Sequence, residues 1–174
     1  MRRTTFVIAG LMLLTTIALA TDTTYDFDRT VNFSKYKTYA WTAGTSVGDQ
    51  LNDKRIVNAI DAQLASKGLK NVAASANPDM LVAYHASFDK EIEINATPTG
   101  WGPFRLGVGT GSARATQVVV GTLVLDMMDP ATKIVIWRGT ASRELDPKAS
   151  PDKRDKNINR AAGKLLENYP PKAK

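Results

Sequence analysis

The chain has 174 residues, 23 Lys or Arg against 17 Asp or Glu, and 43% hydrophobic content, a size and balance suited to one domain with one core. Its basic residues are dispersed and, in the last predicted helix, interleaved with acids, which excludes the concentrated basic stripe of a nucleic-acid partner. With no cysteine and one histidine, it has neither a disulfide framework nor the ligand set of a Cys/His metal site.

Residues 1–20 read as a cleavable signal peptide. Arg2 and Arg3 form a cationic start, and an apolar run of 14 residues extends from Phe6 to Leu19. Ala18-Leu19-Ala20 supplies the small-x-small pattern of signal peptidase, which places cleavage before Thr21. A membrane-spanning helix needs about 20 apolar residues, so no transmembrane anchor is expected in the mature chain. Without a cysteine no lipid anchor is expected either. The reading is an exported protein, periplasmic or secreted, whose single domain spans 21–174 and whose net charge of +6 loses the two units of Arg2 and Arg3.

Residues 21–35 are polar with isolated aromatics and hold a first edge strand. The alternating aromatic run from Lys35 to Trp41 predicts a second strand. After the Gly44–Gly48 loop, Asn52 or Asp53 caps a helix whose apolar positions are Ile56, Val57, Ile60 and Leu64. Lys67-Gly68-Leu69 reads as a Schellman ending. A short strand near Asn71–Ala74 and a turn at Asn77-Pro78-Asp79 lead into a strand over Met80–Phe88, continued by the alternation of Glu91 to Ile94. Residues 95–115, with five glycines and two prolines, read as a long loop. Two long strands, Gln117–Met128 and Lys133–Leu145, are joined by a type I turn at Asp129–Thr132. Ser150-Pro151-Asp152 opens a last helix with Ile158, Ala162, Leu165, Leu166 and Tyr169 on one side, ended by Pro170-Pro171. The order predicts an α+β fold: an antiparallel or mixed β-sheet with two amphipathic helices packed on one face.

Five blocks resemble, in order, the DUF4136 family of bacterial envelope proteins: Phe33–Trp41, Pro78–His85, Gly121–Asp126, Ile136–Ala141 and Ile158–Pro171. Many members of that family look like lipoproteins, and this chain departs from them in lacking the lipid-bearing cysteine. The resemblance implies no reaction and transfers no catalytic residue.

The residues carry no catalytic pattern of their own. His85 is a lone histidine in mid-strand. The Gly-x-Ser-x-Gly spacing at Gly44–Gly48 falls in the loop from Thr42 to Leu51 and not on the sharp strand-to-helix turn of a nucleophile elbow. Glu91 and Glu93 fit the wet side of a strand, and Asp126 and Asp129 fit turn acceptors. Gly107–Gly111 runs into a strand, whereas a dinucleotide loop opens a helix. No catalytic, cofactor-binding or metal-binding residue is therefore assigned, and no cofactor is expected. The hairpin of the two long strands reads as apolar on both faces, with Leu123, Leu125 and Ile136 on one and Val120, Val124, Val135 and Trp137 on the other. The second face needs a cover. Trp101, Phe104 and Leu106 of the 95–115 loop supply one from within, as a lid; an envelope partner or a second copy of the chain supplies one from outside. The candidate binding residues are thus Trp101, Phe104, Leu106, Val124, Val135 and Trp137. The functional expectation is a non-enzymatic binding, scaffolding or assembly module of the cell envelope. The alternatives are a hydrolase acting on an envelope substrate, marked by His85 meeting a carboxylate and a hydroxyl, or a carrier of a small apolar ligand, marked by an enclosed apolar cavity.

Overall fold

The computed structural model of the chain describes residues 21–97 and 112–172, so the predicted signal peptide lies outside the described residues. Six strands form one mixed sheet: β1 (Asp22–Phe27), β2 (Thr38–Trp41), β3 (Lys70–Asn71), β4 (Met80–Thr97), β5 (Ser112–Met128) and β6 (Val135–Leu145), in the spatial order β1-β6-β5-β4-β2-β3. Two helices, α1 (Gln50–Ser66) and α2 (Pro151–Leu165), pack on each other and on one sheet face. The fold is α+β, as the order of elements predicts.

The mixed character has a local cause. β2 leads through α1 into β3, a crossover that makes β2 parallel to β3, and β2 also runs parallel to β4. The β4, β5 and β6 pairings are antiparallel, and β1 closes the far edge against β6.

Local chemistry sets the helix ends. Asp49, rather than Asn52 or Asp53, caps α1 by accepting from the backbone N–H of Leu51 and Asn52. The helix therefore starts earlier than its apolar spacing suggests, because Gln50 and Leu51 are an exposed first turn. At its C-terminus the Schellman pair forms: Leu69 N–H donates to Leu64 O at 3.0 Å and Gly68 N–H to Ala65 O at 2.9 Å, with Gly68 at φ +84°. Ser150 caps α2 through Lys153 N–H, with Pro151 in the first turn. α2 stops at Leu165, so Tyr169 packs from the tail beyond it.

Ile56, Ala59, Ile60 and Leu64 of α1 meet Ala162, Leu165 and Leu166 over Val82, Leu123, Leu125, Met127, Trp137 and Ala141 of the sheet. An aromatic chain seals the end of this core. Tyr169 lies edge-on to Trp137 and Phe33, with ring centroids at 5.5 and 5.9 Å, and Phe27 lies edge-on to Phe33 at 6.0 Å.

Two strand readings change. β4 and β5 extend into both ends of the 95–115 stretch read as a loop, to Thr97 and from Ser112, and the rest of that stretch lies outside the described residues. The β5–β6 turn is longer than a tight type I turn: Asp129 N–H donates to Ile134 O, Lys133 adopts φ +61°, and the strand resumes at Val135.

Candidate functional site

Each sequence-derived candidate residue can be placed on this sheet. Met127 pairs with Trp137 and Met128 with Val135, which leaves Ile136 as an extra residue in a β-bulge. The bulge turns both Ile136 and Trp137 into the core, where Trp137 is fully buried. The placement of Trp137 on a second, partner-facing side is thereby corrected. Val124 is half-buried on the face away from the helices, and Val135, at 38% exposure, sits beside the turn. Trp101, Phe104 and Leu106 lie outside the described residues, in the stretch between Thr97 and Ser112.

The face away from the helices is polar at its centre, which corrects the expectation of two apolar faces. Strand register lines up Ala83, Asp126 and Arg138 in one row, His85, Val124 and Thr140 in the next, and Ser87, Thr122 and Ser142 in a third. Arg138 binds Asp126 through Nε at 2.5 Å and Nη2 at 2.6 Å. This bidentate pair lets a carboxylate sit at 3% exposure, so Asp126 is a cross-strand ion-pair partner and not a turn acceptor. Asp129 is the turn acceptor, taking the N–H groups of Ala131 and Thr132. The Thr122 and Ser142 hydroxyls share a hydrogen bond at 3.0 Å.

His85 takes part in an incomplete version of the hydrolase constellation. Its Nδ1 is 2.9 Å from Thr45 Oγ1, and its Nε2 is 3.7 Å from Asp126 Oδ2, beyond hydrogen-bond reach. Both oxygens of Asp126 already bind Arg138. The carboxylate does not orient the imidazole, and the trio lacks the geometry that activates a hydroxyl.

Three aspartates pin the edge elements: Asp79, read from the sequence as a turn residue, Asp53, read as a helix cap, and Asp61, which the sequence reading did not single out. Asp79 accepts from Lys37 N–H at 2.9 Å, Thr38 N–H at 2.8 Å and Thr38 Oγ1 at 2.9 Å. These bonds, led by that from Lys37 N–H, hold its carboxyl below the usual range. Asp53 takes Ser46 Oγ, Tyr84 Oη and Val47 N–H, and the hydroxyl bonds lower its pKa. Burial and then the Asp53 bond push Tyr84 up to about 12. Asp61 receives Tyr39 Oη at 2.6 Å and Trp41 Nε1 at 2.9 Å.

The far end of the β4–β5 hairpin extends beyond the pairing of the other strands. β6 leaves β5 after Val119, and the last contact on the other edge of β4 is at Ala86, which donates to Thr45 O. From Glu91–Val118 to Thr97–Ser112, seven cross-strand pairs run as a two-stranded ribbon, roughly 24 Å at about 3.4 Å per residue. Ile92, at 69% exposure, lies on its helix-side face, and Phe88, at 52%, lies on the same face at its base. An isolated two-stranded ribbon is marginal in water, and among the described residues neither of its outer edges has a paired strand.

A six-stranded mixed sheet with two helices on one face and a projecting two-stranded arm defines a class of small α+β domain. The DUF4136 profile, "Domain of unknown function (DUF4136)", matches residues 23–171; the chain belongs to that family. Its fold is shared by a DUF4136 family protein from Bacteroides thetaiotaomicron, 14% identical with a TM-score of 0.52, over 86% of this chain and 96% of that one. PelC from Paraburkholderia phytofirmans, solved as a dodecamer, is 10% identical with a TM-score of 0.52, covering 84% of this chain and 95% of that one. A PDZ domain protein from Parabacteroides distasonis is 18% identical with a TM-score of 0.56 over 88% of this chain. The chain spans 36% of that protein's length. No curated protein sequence matches the chain. Among the described residues no helix is long and apolar enough to cross a membrane, and no group of three or more His, Cys, Asp or Glu could hold a metal ion.

Proposed function

We propose that this protein is an exported assembly module of the cell envelope, acting by association of copies of itself through the β4–β5 arm rather than by catalysis. The observation that carries the reading is the arm, whose edges pair with no strand among the described residues, with Ile92 exposed on it and Phe88 exposed at its base. Burying such a ribbon against another copy would satisfy its edge groups and cover its apolar side chains in one step. The dodecamer formed by PelC, a protein of the same fold, supports association as a use of this architecture. The n-region arginines, apolar run and Ala18-Leu19-Ala20 support export. In this reading Trp101, Phe104 and Leu106, which follow Thr97 in the chain, belong to the association surface.

Sedimentation velocity on residues 21–174 tests this. The wild-type chain is expected to sediment as an oligomer at micromolar concentration, and the double variant Phe88→Asp, Ile92→Asp as a folded monomer with unchanged circular dichroism. A wild-type chain that stays monomeric across the accessible concentrations would overturn the reading, as would a double variant that still assembles.

A further inference from the structure

Between the helices and the sheet lies a cleft of about 410 Å³ that meets the proposed association surface at Phe88. Its floor is two cross-strand rows, Ala86–Leu123–Ala141 and Phe88–Gly121–Arg143. Small side chains in these rows leave the space open. Ile56 of α1 and Ile158 and Ala161 of α2 form the opposite wall. The Arg55–Asp155 ion pair, at 2.6 Å, ties the two helices together beside it.

One group in this apolar cleft is out of place. Arg143 is 8% exposed and its Nη1 is buried with no hydrogen-bond partner among the described residues. Its best bond is a long one, Nε to Glu144 O at 3.4 Å. A buried guanidinium normally has a carboxylate against it. Here the charges around it do not help. Asp146 is held by Lys153 Nζ at 2.8 Å. Arg154 donates to the carbonyls of Ala149 and Pro147. Arg160 adds like-charge repulsion, and burial and that repulsion together lower the Arg143 pKa. An apolar cleft lined by a desolvated cation with no anionic partner among the described residues is complementary to a ligand with an anionic head and an apolar tail. At roughly 30 Å³ per heavy atom, the volume of a water in the liquid, the cleft holds on the order of a dozen such atoms.

We propose that this cleft binds a single-chain anionic amphiphile, its carboxylate or phosphate head on the Arg143 guanidinium and its alkyl tail along the Ala86–Leu123–Ala141 row. The cleft shares Phe88 with the base of the arm, but Arg143 and Ala161 lie outside the proposed association surface, so variants at these two positions test the site apart from the assembly reading. Titration calorimetry on residues 21–174 tests it, with dodecanoate, dodecyl phosphate and dodecanol as probes, each below the concentration at which it aggregates. One molecule of an anionic probe is expected to bind per chain, at least tenfold more tightly than dodecanol. A preference for dodecyl phosphate would point to a phospholipid-derived head, and a preference for dodecanoate to a free fatty acid. Arg143→Met should abolish the advantage of the anion while leaving dodecanol binding in place. The same variant should melt no lower than wild type, since it removes an unpaired buried charge. Ala161→Phe, which fills the cleft from α2, should weaken all three probes at least tenfold. No saturable binding of either anion, or anion binding unchanged in Arg143→Met, would overturn the proposal.

Discussion

Trp137 shows how a one-residue irregularity decides what a side chain is for. Strict alternation from Val135 would send it away from the helices; the bulge at Ile136 instead seats it against Tyr169 in the core. Trp137→Ala should therefore cost about 3–5 kcal/mol of stability, read by urea denaturation. If the residue served a partner instead, the loss would fall on association. The aspartates act at the same scale. The lowered pKa of Asp79 and Asp53 means that their contribution is complete above the unfolded carboxylate value of about 3.9 and is lost as pH falls through the lower folded values. The raised pKa of Tyr84 works oppositely: its contribution is complete below the unfolded value of about 10 and is lost as pH rises through about 12. A thermal unfolding series against pH should thus show a plateau bounded on both sides. Asp79→Asn should lower the plateau by about 1 kcal/mol, a figure discounted for the exposure of the site, and should soften the acid limb. An unchanged acid limb would show that other carboxylates govern it.

Elements were legible to the degree that their signals are local. The Lys67-Gly68-Leu69 ending and the Ser150-Pro151 cap form as their chemistry dictates, because each depends on a few neighbouring residues. Gly68→Ala, forced to φ +84°, should cost about 1 kcal/mol, measurable as a shift in denaturation midpoint. The same signals failed where pairing overrides composition. Residues 95–97 and 112–115 carry polar and small side chains that read as loop, yet strand register extends through them because each strand supplies the other's hydrogen bonds. The unpaired Arg143 was invisible for a different reason. In sequence it is one arginine beside Glu144, and only the cross-strand rows place it over Gly121 with no acid in reach. Because the arm makes few contacts with the core, replacing residues 91–118 with a two-residue turn should leave the melting temperature within a few degrees of wild type. A collapse of the fold would make the arm part of the core's stability.

At the scale of the whole molecule, the two faces of the sheet do different work. The helix side supplies the core, and the other side is closed by the Asp126–Arg138 pair and neighbouring hydroxyls, not by the apolar cover anticipated from Val120 and Val124. In the assembly proposal the association surface is therefore the projecting ribbon and not a sheet face. The most direct test is in-cell photo-crosslinking from a benzoylphenylalanine placed at Ile92, in the native envelope. The account predicts ultraviolet-dependent products that contain two or more copies of this chain and vanish with Phe88→Asp. Products joining Ile92 only to other proteins, or no product from a folded chain, would contradict it.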